Sequence, residues 1–275
     1  MRILVTGGNG FIGKEIIKFL EEKYEIVYPT SKDLDLTNQS KVDLFFRNKY
    51  FDWVIHCAVK GGRRISNDEP EVFTSNMLMF LNIMRNSSNF KYLINFSSGA
   101  EYDRSKCYLK DKVSVESSIP SDYYGLSKNL ISRIVKGNSQ VVNMRLFGVF
   151  GVNEDDHRYI KTIYKKIKSN EDITIFNDIY FDFFFIDDLL NLVNHYIDNF
   201  NQNSPNDLDL VYQKKFKLSE ILKLVALKIE KDYNVNIINK TGNSYLGNYS
   251  NYLSKIKLVG LDDGLDTTID LLNKI

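Results

Sequence analysis

The segment that most constrains the fold lies at the start of the 275-residue chain. A short apolar run, "RILV", precedes "TGGNGFIG" and then "KEIIKFLEEKY", whose apolar residues recur at helical spacing. In such a strand–turn–helix unit, Gly7 permits a tight turn, Gly10 lets the backbone approach a pyrophosphate, and Gly13 lets the helix pack close to the strand. The free N–H groups at the helix start favour phosphate. The segment therefore predicts a dinucleotide-binding turn, and a purely structural turn is the alternative.

Strands and helices continue to alternate beyond this unit. "FDWVIHCAV" and "YLINFSS" are typical of buried strands, and the amphipathic run "EVFTSNMLMFLNIMRNSS" between them is typical of a helix. This alternation predicts an α/β fold with a doubly wound parallel sheet of the Rossmann type. Ligands bind such sheets at the carboxyl ends of the strands, here 7–13, 58–62 and 97–102. "YYGLSK" follows the last of these segments, so the sequence predicts one site along this rim.

The second strand indicates which nucleotide the site takes. In NAD-binding chains this strand usually ends in a carboxylate that accepts hydrogen bonds from the ribose hydroxyl. Here "EIVYP" runs into "TSKDLDL", where Thr30, Ser31 and Lys32 offer hydroxyls and a cation that suit a 2′-phosphate. Asp33 follows one residue later and could still reach the ribose. The sequence therefore favours NADP(H) and leaves NAD(H) as the alternative.

Composition excludes several other classes. The formal net charge of +1 gives no electrostatic case for nucleic acid or an anionic membrane. The two cysteines, Cys57 and Cys107, form no metal-ligand pattern and fit a reducing compartment. No apolar run reaches the roughly 20 residues of a membrane span, and "MRILVTGGNG" is unlike a signal peptide, so we expect a cytoplasmic protein. Asp187 and Asp188 are interpreted as a helix start, so no metal site is predicted.

Tyr124 and Lys128 of "YYGLSK" lie four residues apart, one turn apart on the same face of a helix. Such a pair is common on helix surfaces and has no meaning alone. Its meaning here comes from the set "TGGNGFIG", "LDL", "HCAVKGG", "FSSGAEY", "YGLSK" and "RLFGVFG". As a set these motifs resemble the extended short-chain dehydrogenase/reductases that act on nucleotide sugars. Within that superfamily, "KGGRRISNDEPEVFTSNML" and "GVNEDDH" are most similar to the GDP-L-fucose synthase group.

The resemblance implies a catalytic set of Ser98, Tyr124 and Lys128, with His157 helping to place the sugar. Ser98 is preferred over Ser97 because it lies four residues before Tyr102, where the family keeps its Ser or Thr. Reduction of a ketone needs a proton donor at the oxygen. A tyrosine with a pKa of about 10 becomes a better one beside an ammonium. The cofactor contacts implied are Gly7, Asn9, Gly10, Phe11, Ile12, Gly13, Ser31, Lys32, Asp35, Leu36, Ala58, Lys60, Asn76, Tyr124 and Lys128.

The chain departs from the family at three places. Ala100 stands where the synthases keep the cysteine that works with a histidine in epimerisation, so simple 4-keto reduction is favoured. The segment 98–100 also lacks the carboxylate pair of the sugar-nucleotide dehydratases. Phe181 replaces an arginine that clamps the substrate diphosphate, a task for which a guanidinium is well suited. Either Arg158, Lys161 or a neighbouring base replaces it, or the substrate is held differently.

Together these features predict an NADPH-dependent reductase of a nucleotide-linked 4-keto-6-deoxy hexose or heptose. The resemblance implies GDP as the nucleotide, surface-polysaccharide synthesis as the pathway and a homodimer as the assembly. The predicted domains are an NADP-binding domain over 1–150, to which 178–200 returns, and a small C-terminal substrate-binding lobe over 151–177 and 201–275. The alternatives are an NAD-dependent C4 epimerase and a non-catalytic nucleotide-binding Rossmann protein.

Overall fold

The structure is a computed structural model, and it describes residues 1–62, 68–103 and 115–275. The strands are β1 (Arg2–Thr6), β2 (Glu25–Val27), β3 (Phe51–His56), β4 (Phe90–Ser98), β5 (Val141–Leu146), β6 (Val149–Phe150), β7 (Ile173–Asn177), β8 (Phe184–Phe185), β9 (Asp207–Leu210) and β10 (Val235–Asn239). The α-helices are α1 (Phe11–Leu20), α2 (Gln39–Phe46), α3 (Pro70–Met84), α4 (Tyr123–Val135), α5 (Tyr159–Lys168), α6 (Ile186–Asn199), α7 (Leu218–Ile229) and α8 (Leu261–Leu272).

Six strands form the central sheet in the order β2-β1-β3-β4-β5-β9. β1 pairs in parallel with both β2 and β3, and β3 pairs in parallel with β4. The strand order reverses between β1 and β3, which is the switch point where doubly wound sheets bind ligands. The predicted α/β fold with a doubly wound parallel sheet is thereby confirmed.

Helices cover the sheet because its strands are apolar on both faces. Leu4, Val5 and Ile55 are completely buried in neighbouring strands, as in the near-continuous apolar runs of parallel sheets. One hydrophobic cluster joins Leu4 to Phe80 of α3 and Ile131 of α4. This packing fixes α3 and α4 relative to the strands whose ends carry the predicted site.

The chain divides into two compact units. Among the described residues, the first unit holds 1–62, 68–103, 115–145 and 193–208, and the second holds 146–192 and 209–275. The domain boundaries given above remain a prediction. Cys107 and the Arg63–Arg64 part of "KGGRRIS" lie outside the described residues. No helix in the described part of the chain has the length and apolar character needed to cross a membrane.

The Asp188 carboxylate accepts several hydrogen bonds within the second unit. Asp187 and Asp188 both lie in the first turn of α6, the position expected for a helix start. The Asp188 carboxylate accepts hydrogen bonds from the N–H groups of Val259 (2.6 Å) and Gly260 (2.9 Å), and also from the Tyr212 hydroxyl. These bonds hold the segment that leads into α8. No cluster of three metal-ligating side chains occurs in 1–62, 68–103 or 115–275.

Candidate active site

The turn between β1 and α1 requires glycine at two positions. Gly7 has a φ of +71°, and a Cβ there would lie 2.5 Å from the backbone nitrogen of Ala58. A Cβ on Gly13 would lie 2.3 Å from the carbonyl oxygen of Gly7. At Gly10, which precedes the first residue of α1, the nearest atom to such a Cβ is 3.5 Å away. The turn is therefore tight on its protein side and open at the helix start, which is the shape that a phosphate-binding turn needs.

A pocket of about 310 Å³ opens beside this turn in the first unit. Its lining is Thr6, Gly7, Gly8, Asn9, Gly10, Tyr28, Pro29, Thr30, Ser31, Leu34, Asp35, Leu36, Cys57, Ala58, Val59 and Met79. Seven predicted cofactor residues are among these: Gly7, Asn9, Gly10, Ser31, Asp35, Leu36 and Ala58. Phe11, Ile12 and Gly13 lie in the first turn of α1, behind the glycine turn. Lys32, Lys60, Asn76, Tyr124 and Lys128 are not part of the lining.

Tyr28, Leu34 and Met79 are among the apolar residues of this lining that the sequence did not predict. Tyr28 follows β2 and remains about half exposed, Leu34 is buried, and Met79 lies three residues after Asn76 on α3. The spacing of Met79 from Asn76 was the available signal, because residues three apart share a helix face. These side chains give the pocket an apolar wall of the kind that ligand pockets use.

The carboxylates after β2 are already bonded within their own loop. Asp33 Oδ2 accepts hydrogen bonds from the Thr30 hydroxyl (2.7 Å) and the Thr30 N–H (3.1 Å), which lower the pKa of Asp33. Asp35 Oδ1 accepts in the same way from Thr37, with the same effect on the pKa of Asp35. Asp33 does not line the pocket, whereas Ser31 does. The rim at the end of β2 therefore presents the Ser31 hydroxyl and the Asp35 carboxylate, which is bonded to Thr37, with the exposed Lys32 next to Ser31.

Asn76 has its polar atoms directed at protein groups. Its side-chain oxygen accepts from the Lys60 N–H (2.8 Å), and its Nδ2 donates to the Lys60 carbonyl (3.0 Å) and to Ser127 Oγ (3.1 Å). Ser127 Oγ in turn donates to the carbonyl oxygen of Tyr124 (2.7 Å). The buried amide thus connects the loop after β3 to helix α4. In this structure Asn76 positions the loop that carries Ala58.

The loop after β3 also contacts the predicted catalytic tyrosine. Gly62 has a φ of +78°, and a Cβ there would lie 2.8 Å from two carbons of the Tyr124 ring. The Gly62 N–H is held by the carboxylate of Asp68, at 3.0 and 3.1 Å to its two oxygens. The glycine backbone therefore lies directly against the phenol ring. Asp68 holds the Gly62 side of this contact, and Asn76 holds the Tyr124 side through Ser127.

Ser98 and Tyr124 come from the end of β4 and the start of α4. Ser98 is the last residue of β4, and its Oγ accepts a hydrogen bond from the Ala100 N–H (3.2 Å). Asp122 caps α4 by accepting from the Gly125 N–H at 2.7 Å. A Cβ on Gly125 would lie 2.5 Å from the Ala100 carbonyl oxygen, so this glycine allows α4 to approach the segment after Ser98. The close approach brings the two predicted catalytic residues to the same end of the sheet.

Lys128 is buried one turn beyond Tyr124. Its Nζ donates to the Phe96 carbonyl (2.7 Å) and lies 5.9 Å from the centre of the Tyr124 ring. Burial lowers the pKa of Lys128 to about 8, partly opposed by the negative charge of Glu101. Below that pH the ammonium favours the ionised form of a neighbouring phenol, so it assists proton release from Tyr124.

His157 and Phe181 belong to the second unit. His157 is exposed, and its Nε2 lies 3.9 Å from Asp155 Oδ2. The buried Phe181 ring packs on Phe183 and Tyr245, with ring centres 4.7 and 5.1 Å apart. A Cβ at Gly148 would lie 2.7 Å from the Phe181 ring. Phe181 is therefore part of an aromatic cluster.

The two expected substitutes for the missing arginine differ in their partners. Lys161 Nζ donates to the carbonyl oxygens of Val152 (3.0 Å) and Glu154 (2.9 Å) and pairs with Asp156 at 3.1 Å. Arg158 is exposed at the residue before α5, where its charge opposes the rise that burial causes in the pKa of Glu154. Arg158 is therefore the more available of the two cations for an anionic ligand.

Comparison with known proteins identifies the family. Residues 3–210 match the NAD dependent epimerase/dehydratase family. The chain belongs to this family. It is 25% identical over 251 residues to GDP-L-colitose synthase of Yersinia pseudotuberculosis, covering 82% of this chain and 81% of that protein. It is 38% identical over 106 residues to GDP-L-fucose synthase of Azorhizobium caulinodans, covering 37% of this chain and 34% of that protein.

A solved structure shares the whole fold of this epimerase/dehydratase family member. The GDP-mannoheptose C4 reductase of Campylobacter jejuni, solved with NADP bound, superposes with a TM-score of 0.82. The match covers 99% of this chain and 98% of that chain at 17% sequence identity. The family match over 3–210 confirms the resemblance to the extended short-chain dehydrogenase/reductases, and at 17% identity the structural likeness concerns the fold.

Asn76 clamps the loop after β3 through its paired hydrogen bonds with the Lys60 backbone. Replacing Asn76 by aspartate is therefore expected to destabilise the protein more than the same change at Asn82, another buried asparagine of α3. Asn76→Asp removes both donated hydrogen bonds and buries a carboxylate against the Lys60 carbonyl, at an expected cost of about 3–5 kcal/mol in the free energy of unfolding. Asn82, equally buried on the same helix, donates to the Leu36 carbonyl (2.9 Å). Asn82→Asp is the matched control; it also buries a carboxylate against a carbonyl but removes one donated hydrogen bond instead of two, so its expected cost is about 1 kcal/mol smaller. Urea denaturation measures both, and equal losses would contradict the clamp.

Proposed function

We propose that this protein reduces the C4 ketone of a GDP-linked 4-keto-6-deoxy sugar, a hexose or a heptose, with NADPH, in the synthesis of surface polysaccharide. The observation that carries the proposal is the convergence of Ser98, Tyr124 and the buried Lys128 at one end of a Rossmann sheet, beside a glycine-lined pocket. The names of the relatives, GDP-L-colitose synthase and GDP-L-fucose synthase, support GDP-sugar chemistry.

The residues of the glycine pocket fit a dinucleotide. The space that a Cβ would fill at Gly7 and Gly13 is occupied by backbone, and the helix start at Gly10 is open for a pyrophosphate. Ser31 on the rim and the exposed Lys32 suit a 2′-phosphate, and the Asp33 carboxylate is bonded to Thr30. When bound, NADPH supplies the hydride for the reduction. These features support NADPH over NADH.

The proton required at the sugar oxygen comes from Tyr124. As the ketone carbon gains a hydride, negative charge develops on its oxygen, and a positioned acid must supply a proton there. Ser98 Oγ donates a hydrogen bond to the same oxygen and polarises the carbonyl. Lys128 favours the phenolate that Tyr124 becomes. Because the pKa of Lys128 is about 8, the rate of reduction is expected to fall as the pH rises through that value.

Reduction without epimerisation follows from the residues after Ser98. Ala100 is buried and apolar, and Gly99 has no side chain, so neither can move a proton at C3 or C5 of a sugar. We assign binding of the nucleotide sugar to the predicted lobe over 151–177 and 201–275. There His157 helps to orient the sugar, and Arg158 takes over the diphosphate contact that Phe181 cannot make.

We also propose a homodimer formed through α3 and α4. These helices expose Leu78, Leu81 and Ile134, apolar side chains between 38% and 48% accessible. Leu81→Glu is therefore expected to give a monomer by light scattering. Leu44→Glu on α2, where the side chain is 61% exposed, should leave the dimer intact. A monomeric wild type, or an unchanged Leu81→Glu dimer, would contradict this interface.

A spectrophotometric assay tests the proposed activity. NADPH and NADH oxidation are followed with GDP-4-keto-6-deoxymannose, and a dTDP-linked 4-keto-6-deoxyhexose serves as the matched substrate. We expect oxidation of NADPH with the GDP sugar to be at least tenfold faster than with NADH, which lacks the 2′-phosphate, or with the dTDP sugar, which carries a different base. A tenfold difference corresponds to about 1.4 kcal/mol. Tightly bound nucleotide that survives purification, without consumption of added NADPH, would favour the C4 epimerase instead.

A further inference from the structure

Glu101 is a completely buried carboxylate three residues after Ser98. It ends the short 3₁₀ helix Gly99–Glu101 that begins after β4. Its carboxylate accepts hydrogen bonds from Ser97 Oγ, from Ser132 Oγ (2.5 Å) and from Arg145 Nε. Its carbonyl oxygen accepts from Asn129 Nδ2 at 2.8 Å. Ser132 and Asn129 both belong to α4, so Glu101 joins the segment that carries Ser98 to the helix that carries Tyr124.

Arg145 stabilises the ionised form of this carboxylate against the effect of burial. Burial raises the pKa of Glu101, and the guanidinium of Arg145 together with the two serine hydroxyls opposes that effect. A guanidinium remains charged in proteins and is only a donor, so the group facing it is best matched by a carboxylate. Arg145 also pairs with Asp207 through its NH2 group at 2.9 Å. The buried cation is therefore paired with Glu101 and with Asp207, and of these two carboxylates only Asp207 is largely exposed.

The Glu101 carboxylate meets β4 and α4 close to the point where Lys128 does. Lys128 Nζ bonds the Phe96 carbonyl, and Ser97, the next residue of β4, donates to Glu101. Ser132 lies four residues after Lys128 on α4, which places the two side chains one turn apart on the same face. The carboxylate and the ammonium are thus held by adjacent residues of the strand and by adjacent turns of the helix.

The other titratable groups near Lys128 are neutral or positive at neutral pH. Burial lowers the pKa of His56 to about 3, and burial raises the pKa of Cys57 to about 12, so the imidazole and the thiol are both uncharged. Tyr124 precedes Lys128 on the same helix, and Arg145 on β5 is a cation. Within the described part of the chain, Glu101 is the group that supplies negative charge to the Lys128 ammonium.

We propose that Glu101 is a positioning residue for the reduction, whose carboxylate fixes the Ser98 segment to α4 and holds Lys128 as an ammonium beside Tyr124. The inference rests on the proposed function, because it assigns Lys128 its role at the phenol. Its consequence is that one buried carboxylate controls both the placement of Ser98 and the charge next to Tyr124.

The test variant is Glu101→Gln, which keeps the shape of the side chain and an acceptor for Arg145 and removes the charge. The titration midpoint of Lys128 is measured by NMR on protein labelled with ¹³C at the lysine Cε, and the signal is assigned by its loss in Lys128→Arg. We expect the midpoint, and the alkaline limb of the pH profile of kcat, to move together to lower pH. If the midpoint falls by one pH unit from about 8, the protonated fraction at pH 8 drops from about one half to about one eleventh, so kcat at pH 8 is expected to fall about fivefold.

The matched control is Asp207→Asn, which removes the other carboxylate paired with Arg145. It is expected to leave both the Lys128 midpoint and the alkaline limb within the error of the wild type. A purely structural role of Glu101 would lower the midpoint of thermal unfolding in Glu101→Gln without moving either titration. That outcome, or an equal shift in Asp207→Asn, would overturn the proposal.

Two further arrangements keep the test decisive. If Glu101→Gln does not accumulate as folded protein, Glu101→Asp replaces it, because aspartate withdraws the carboxylate by one methylene. The Lys128 midpoint is then expected to fall by a smaller amount. An unchanged or raised Lys128 midpoint would overturn the proposal. The NMR titration does not depend on catalysis. A shifted Lys128 midpoint in a protein that reduces no sugar would refute the proposed function while supporting the electrostatic role of Glu101.

Discussion

Replacing Tyr124 by phenylalanine is expected to lower kcat for ketone reduction by about 1,000-fold, within the range of 10²–10⁴ that a positioned acid contributes. The phenol is the group that supplies the proton in the proposed reaction, and phenylalanine keeps the ring that lies against Gly62. The Tyr124 hydroxyl takes no part in the hydrogen bond between Asn76 and the Lys60 backbone, or in the bond that Ser127 donates to the Tyr124 carbonyl. The Kd for NADPH, measured by fluorescence, should therefore change by less than about threefold.

Tyr123→Phe is the matched control for this prediction. Tyr123 is the first residue of α4, adjacent to Tyr124, and its side chain is 41% exposed. The same loss of a hydroxyl at this position should leave kcat and the Kd for NADPH unchanged. Activity of Tyr124→Phe within a few-fold of the wild type, or an equal loss in both variants, would refute the assigned proton donor.

Gly13→Ala is expected to weaken NADPH binding at least 100-fold. The added methyl group would lie 2.3 Å from the Gly7 carbonyl oxygen and 2.9 Å from the Gly8 Cα. Both are backbone atoms of the turn, so α1 must move away from it and carry its free N–H groups away from the pyrophosphate. A displacement of about 1 Å is enough to cost two orders of magnitude at a positioned site. Isothermal titration with NADPH measures the loss.

Gly137→Ala provides the control for a methyl group added to a glycine. Gly137 has a φ of +77° in the first unit, and no atom lies within 4 Å of the position that a Cβ would take. This substitution strains the backbone and should lower stability by about 1 kcal/mol. It should not change the Kd for NADPH. Comparable affinities for the two variants would show that the turn before α1 is not the phosphate-binding element.

The fold could be predicted because its signals are local. Apolar runs of strand length, a helical repeat between them and the glycine turn at 7–13 each follow from residues near in sequence. The same is true of the pocket residues Gly7, Asn9, Gly10, Ser31, Asp35 and Leu36, since they follow two strands of one sheet. Asp33 shows the limit of this reasoning. The sequence leaves the Asp33 carboxylate able to reach the cofactor ribose, whereas in the structure this carboxylate accepts a hydrogen bond from the Thr30 hydroxyl, three residues earlier.

The contacts between distant segments could not be predicted in the same way. Asn76 meets Lys60 and Ser127, which are 16 and 51 residues away, and a single sequence carries no sign of such pairings. Glu101 and Arg145 are 44 residues apart. In the sequence Glu101 is notable only as an acidic residue before Tyr102. Its complete burial next to a guanidinium becomes visible only when β4, β5 and α4 are packed together.

The most direct test of the proposed reaction follows the hydride itself. NADPH carrying deuterium at the transferable position of the nicotinamide, prepared as each stereoisomer, is offered with GDP-4-keto-6-deoxymannose, and the product is analysed by NMR. We expect one stereoisomer to deliver deuterium to C4 of the sugar, with the configuration at C3 and C5 retained. A product without deuterium at C4, or inversion at C3 or C5, would contradict a simple 4-keto reductase.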